Sequence, residues 1–251
     1  MSGHSKWATI KHKKAATDAR RGNMFTQLAR EITIAAREGG GNPEFNFRLR
    51  LAVDKAKGAN MPKENIERAI KRGTGELKGE ELFETTYEAY GPYGVALMIQ
   101  VATDNRNRTV ADVRRVLTRQ GGTMAEAGSV SWQFERKGYM AISPNGKDAE
   151  AIFEAAVEAG ADDVVVSDDL VEVFTSVESF QEVRQALETL GLEFDTVELS
   201  LVPKSTIELG EEETLKVMGI INALEELDDV QQVYSNLFIS DEVMVKFEEE
   251  G

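Results

Sequence analysis

Residues 139–202, YMAISPNGKDAEAIFEAAVEAGADDVVVSDDLVEVFTSVESFQEVRQALETLGLEFDTVELSLV, decide the fold. Short β-branched and aromatic runs alternate there with longer segments whose apolar residues recur at helical spacing. The order is strand 139–143, helix 148–159, strand 163–167, strand 170–175, helix 178–190, strand 194–202. This βαββαβ order is the ferredoxin-like pattern, with two helices covering one face of an antiparallel sheet. Pro203 then interrupts the run.

The flanks do not close by themselves. On one side, 84–90 and 95–102 read as strands around the turn Gly91-Pro92-Tyr93-Gly94. A helix from Arg108 to Arg119 turns Val110, Val113, Val116 and Leu117 inward, and SVSWQFE (129–135) alternates like a strand. On the other side come a helix over 212–227 and a strand over 230–239. Joined, the two flanks supply strands and helices for a second layered unit. The expected arrangement is therefore a discontinuous α+β domain (79–137 plus 203–251) into which a ferredoxin-like domain (138–202) is inserted.

The front of the chain is different. Residues 24–38 repeat Phe25, Leu28, Ala29, Ile32 and Ala36 at helical spacing, and Gly39-Gly40-Gly41 ends that helix. Asn42-Pro43 reads as the start of a second helix with Phe45, Leu49, Ala52, Val53 and Ala56 as its apolar stripe. Pro62 opens a third, with Ile66, Ala69 and Ile70 on one side and Gly73 as its stop. Three short helices can share one small core. Residues 1–78 thus form a three-helix domain preceded by an arm over the first 23 residues. The fold class is α+β multidomain: a three-helix domain followed by two ferredoxin-like α+β domains, one inserted in the other.

Charge separates these parts. The 251 residues carry a formal net charge of -15, which by itself repels nucleic acid. Residues 1–78, however, hold 17 Lys and Arg against 8 Asp and Glu, a net of +9, and the remaining residues carry -24. Such asymmetry points to a polyanionic partner for the front end. There is no Cys, which excludes disulfides and thiolate zinc sites and fits a reducing, cytoplasmic setting. No apolar run approaches the ~20 residues of a membrane span, so no membrane partner is expected.

The candidate contacts follow from that charge. In the arm, Lys6, Lys11, Lys13, Lys14, Arg20 and Arg21 stand against one acid, Asp18. A flexible segment of this kind neutralises phosphates and releases counterions, without reading sequence. Trp7 inside it reads either as a ring that stacks on a base or as an anchor pinning the arm to the helices. Arg48 and Arg50 extend the patch onto the second helix, with Arg68, Lys71 and Arg72 on the third, though nearby acids offer ordinary ion pairs instead. Asp104-Asn105-Arg106-Asn107-Arg108-Thr109 is a second basic island; Arg106 and Arg108 read as loop residues suited to phosphate, with Asn107 or Thr109 as the cap of the helix that follows. His4 and His12 are the only histidines and have no metal-ligand spacing. No nucleophile elbow or phosphate loop is present, so neither catalysis nor a cofactor is expected.

Several of these stretches together resemble one family. Gly3-His4-Ser5-Lys6-Trp7, Lys13-Lys14-Ala15-Ala16-Thr17-Asp18-Ala19-Arg20-Arg21-Gly22, Gly39-Gly40-Gly41-Asn42-Pro43, Ala52-Val53-Asp54-Lys55-Ala56, Asn60-Met61-Pro62, Glu88-Ala89-Tyr90-Gly91-Pro92 and Thr103-Asp104-Asn105-Arg106-Asn107-Arg108-Thr109 are similar, in this order, to the YebC/PmpR family. The resemblance implies a helical domain and two α+β domains, and no enzymatic activity. It implies a regulator of transcription that binds promoter DNA. Relatives that act on the ribosome or its message, including a mitochondrial activator of cytochrome c oxidase subunit I translation and bacterial members linked to stalling at proline runs, make ribosomal RNA and the ribosome the alternative partners.

Overall fold

A computed structural model of the chain describes residues 18–79, 81–145, 148–167 and 170–250, with the side chains of 18–20, 241 and 248–250 set aside. Three helices come first: α1 (Asp18–Gly39), α2 (Phe47–Gly58) and α3 (Lys63–Gly73). Their shared core is Leu28, Ile32, Ala35 and Ala36 of α1, Leu49, Ala52, Val53 and Ala56 of α2, and Ile66 and Ala69 of α3. Helical spacing names each of these except Ala35; its other positions, Phe25, Ala29 and Ile70, pack partly buried against this core, with one exception.

The exception is Phe45, expected in the apolar stripe of α2 but 86% exposed. The helix begins later than Asn42-Pro43 suggests. Asn46 is the cap: its side chain accepts from the Leu49 amide at 3.0 Å and donates to Ala35 O at 2.7 Å and Gly40 O at 2.8 Å. Asn42 instead makes a turn, its carbonyl accepting from the Phe45 and Asn46 amides. A cap that satisfies three partners outcompetes one that satisfies a single amide.

Two antiparallel four-stranded sheets follow. The first contains β1 (Phe83–Tyr90), β2 (Ala96–Thr103), β3 (Thr123–Met124) and β8 (Val230–Ser235), in the order β3-β1-β2-β8. The β1–β2 hairpin turns through Tyr93 (φ 61°) and Gly94 (φ 79°). Helices α4 (Arg106–Arg119) and α7 (Glu211–Glu225) bury Val113, Leu117, Val217, Ile221 and Leu224 against Leu97, Ile99, Val101 and Val233. The second sheet has β4 (Phe134–Ile142), β5 (Asp163–Val166), β6 (Val171–Thr175) and β7 (Thr196–Pro203), in the order β5-β6-β4-β7. Helices α5 (Ala149–Glu158) and α6 (Phe180–Thr189) bury Ile152, Phe180, Val183 and Leu187 against its Met140, Ile142, Val171 and Val173. Chain residues on both sides of the second sheet thus contribute to the first.

The expected strand 129–135 does not form. Glu88 gathers the amides of Gly128, Val130 and Ser131 at 2.7, 2.7 and 3.1 Å, which bends the chain into a one-turn 3₁₀ helix at Ser131–Gln133. Val130 and Phe134 are buried, but Trp132, which strand alternation would put on the same face, is 67% exposed, so the turn breaks the pattern that the sequence suggests. Strand β4 begins at Phe134 and belongs wholly to the second sheet. A last helix, α8 (Asp241–Glu250), buries Val243 and Met244 on the first sheet's core; the sequence reading does not anticipate it.

Candidate nucleic-acid interface

The cations of the front end divide sharply by what they touch. Lys6, Trp7, Lys11, Lys13 and Lys14, with His4 and His12, lie outside the described residues. Arg20 falls in the first turn of α1, and Arg21 is exposed beside it. Arg21 lines a cleft of about 900 Å³ between the helices and the second sheet, together with Lys55, Arg184, Asp54, Asp195 and Glu198. Its charges alternate in sign, so this cleft has no preference for a polyanion.

Arg48 and Arg50 are committed internally. The Arg48 guanidinium bridges Glu38 and Glu84, joining α2 to β1. Burial works against its charge, and the two glutamates, Glu84 first, more than offset that and raise its pKa. Arg50 donates to Pro43 O at 3.0 Å and Glu44 O at 2.7 Å, holding the loop before α2. Lys55 pairs with Glu31 at 3.4 Å and Lys57 with Asp54 at 4.0 Å.

The second basic island is a joint. Arg106 and Arg108 lie in the first turn of α4 rather than in a loop, because Asn105, not Asn107 or Thr109, is the cap and accepts from the Arg108 amide at 3.1 Å. Arg106 stacks over Phe83, 4.8 Å from the ring centre. Arg108 donates to Asp104 at 2.6 Å and to Asp229 at 2.9 Å, and both hydrogen bonds raise its pKa. Asp229 is buried and also accepts from Arg30 of α1 at 2.6 Å, from the Thr103 hydroxyl at 3.1 Å and from the Thr109 hydroxyl at 2.6 Å. Burial opposes its ionisation, but Thr109, Arg108 and Arg30 together pull its pKa below the ordinary value. Sequence reading misses Asp229 because Asp228-Asp229 before a strand looks like any solvated acidic turn.

On the helical head, α3 carries a cluster of exposed cations. Arg68, Lys71 and Arg72 are exposed and have no carboxylate partner among the described residues, whereas Lys63 in the same helix pairs with Glu67 at 3.7 Å. Among the described residues, no group of His, Asp and Glu is arranged to hold a metal, and no helix is long and apolar enough to cross a membrane.

A three-helix head with exposed cations on α3, packed on two antiparallel four-stranded sheets, defines a class: a modular α+β protein with a helical N-terminal domain. Two family models cover the chain: the TACO1/YebC protein N-terminal domain over residues 5–76 and the TACO1/YebC second and third domain over residues 82–237. The chain belongs to the TACO1/YebC family. It is 53% identical over 245 residues to a probable transcriptional regulatory protein of Dictyoglomus turgidum, covering 97% of this chain and 98% of that protein. A protein of the same description in Acidithiobacillus ferrooxidans is 54% identical over 248 residues, covering 99% of each. The crystal structure of the conserved hypothetical protein Aq1575 from Aquifex aeolicus superposes with a TM-score of 0.85 at 50% identity, covering 94% of this chain and 98% of that one.

Proposed function

We propose that this protein is a non-catalytic regulator of gene expression that binds DNA through its front end. The observation that carries this reading is the separation of charge, +9 over residues 1–78 against -24 beyond. The descriptions of its relatives as probable transcriptional regulatory proteins give it direction. The acidic sheets keep the rest of the molecule away from phosphate, so the duplex meets only the helical head and its arm. The sequence carries no clear helix-turn-helix, so this reading draws affinity from phosphate contacts and expects weak sequence discrimination.

The test is a titration of duplex DNA by fluorescence anisotropy at several KCl concentrations. A logarithmic affinity that falls steeply with logarithmic salt is expected, with a slope of about -0.9 per phosphate neutralised. Replacing Lys11, Lys13 and Lys14 by Ala is expected to weaken binding by ~10-fold or more at low salt and to flatten the slope by ~2 to 3, without lowering thermal stability. Binding that ignores salt, or an unchanged triple variant, would overturn the reading. Phosphate contacts serve ribosomal RNA equally well. Co-sedimentation of the native protein with ribosomes, coupled with no DNA shift, would move the target from chromosome to ribosome.

A further inference from the structure

The helical head carries a groove between α1 and α3, about 520 Å³ in volume, that differs in kind from the cleft beside Arg21. Thr26, Arg30 and Thr33 of α1 form one wall; Asn65, Arg68 and Arg72 of α3 form the other. No Asp or Glu lines it among the described residues, in a protein with 44 acidic side chains. Its floor is apolar, from Phe25, Ala29, Met61 and Ala69.

Three features make the groove a formed receptor rather than a spread of surface charge. Arg68 and Arg72 are one helical turn apart, so they present their guanidinium groups along one line. The stem of Arg72 packs beside Gly79, where an added Cβ would make ordinary van der Waals contact with its Cγ and Cδ at 3.5 Å. Arg30 reaches the groove from a fixed position, because its guanidinium donates to Ala102 O at 3.2 Å as well as to Asp229. Arg30 is neutralised by that carboxylate, and the uncompensated charge belongs to Arg68 and Arg72. Guanidinium forks with the Asn65 amide beside them match the tetrahedral oxygens of phosphate, while the Thr26 and Thr33 hydroxyls donate to Gly22 O and Ala29 O of their own helix. A helix C-terminus explains cations at 71 and 72 through the helix dipole, but it does not explain Arg68 or the absence of acids from both walls.

We infer that this groove seats a phosphate group, and that in the nucleic-acid complex the phosphate belongs to the backbone of the bound strand. The inference rests on the DNA-binding reading for the source of the phosphate but not for the groove's chemistry. The arm then wraps the strand while α1 and α3 hold one position on it, which gives a charge-driven contact a fixed orientation.

The experiment compares the intact protein with an R68A/R72A variant, and with R114A/R119A, which removes two exposed arginines from α4 and so matches the change in net charge. Each is titrated with duplex DNA across salt and, separately, with inorganic triphosphate followed by thermal shift. The R68A/R72A variant is expected to bind DNA ~10-fold or more weakly, with a salt slope shallower by about 2, while R114A/R119A stays near the intact protein. A triphosphate-induced rise in melting temperature is expected in the intact protein and lost in R68A/R72A. If only the triphosphate effect appears and depends on these arginines, the groove is a site for free phosphate compounds and the DNA reading fails alone. If DNA binds but R68A/R72A matches the intact protein in both titrations, the groove inference fails alone. If the intact protein answers to neither ligand, both fail.

Discussion

Glu198 on β7 faces Lys55 of α2 where the helices meet both sheets, with Glu31 of α1 and Glu225 of α7 near enough to add like charge. Burial raises its pKa, and the opposing pull of Lys55 and the hydrogen bond from Gln232 at 3.2 Å do not cancel that. Lys55 keeps its charge against burial because Glu31 and Glu198 outweigh the desolvation. A carboxyl raised in the folded state holds its proton more tightly there than in the unfolded chain. Its share of stability is present below the ordinary value of about 4.3 and is lost as pH rises through the folded pKa. Glu198→Gln keeps an acceptor for Gln232 and leaves Lys55 its partner Glu31. It is expected to hold or raise stability at pH 7 by up to ~1 kcal/mol and to flatten the pH dependence above pH ~4. Urea denaturation at pH 5 and pH 7.5 checks this; a clear loss at the higher pH would mean that Lys55 needs both anions. None of this was legible beforehand, since Glu198 in a strand of alternating polarity looks solvent-facing until α2 is placed against it. Arg48 and Arg108 show the same limit. Their residue type suits phosphate, but distant carboxylates at Glu84 and Asp229 had already taken their donors.

Helices and sheets were more readable because their periodicity is local. The three-helix core and the βαββαβ order follow from apolar spacing alone. The boundaries failed where a side chain competed with the backbone, as at Asn46 and Glu88, or where acids masked a buried stripe, as in α8. Gly73 illustrates how the elements lock. It ends α3 against α1, and an added Cβ would stand 2.3 Å from Thr33 O and 2.7 Å from the Ala36 Cβ. In an isolated helix Gly→Ala is stabilising by up to about 1 kcal/mol. Here the closeness of α1 backbone reverses the sign, and Gly73→Ala is expected to lose ~1 to 3 kcal/mol by overpacking. Gly58, at the end of α2, meets nothing within 4 Å, so Gly58→Ala serves as the contrast and should be neutral or stabilising. Urea midpoints of the two variants decide the matter: equal effects would mean that α1 and α3 can move apart freely.

Across the whole molecule, the basic head has to be held on an acidic body in one orientation for its exposed cations to face outward together. Asp229 supplies much of that hold. Arg30 reaches it from α1 and Arg108 from α4, while Asn23 and Gln27 of α1 donate to the carbonyls of Glu226, Glu225 and Val230 nearby. Its pKa is depressed in the folded state. Its contribution is therefore complete above the ordinary aspartate value of about 3.9 and fades as pH falls through the folded pKa. Asp229→Asn keeps the shape but leaves Arg30 and Arg108 without their shared anion. The expected loss is ~1 to 3 kcal/mol at neutral pH, because Arg108 remains partly solvated and retains Asp104. The acid-induced decline of the intact protein should be shallower in the variant. Amide hydrogen exchange locates the effect: protection should fall first in the middle of α1 and at the start of β8, while β4 and β6 of the second sheet keep theirs. Uniform loss throughout would make the carboxylate a general core residue. A local loss identifies it as the joint between the head and the first sheet. In that case DNA affinity should weaken along with it, since the groove between α1 and α3 includes Arg30 and depends on the same clamp.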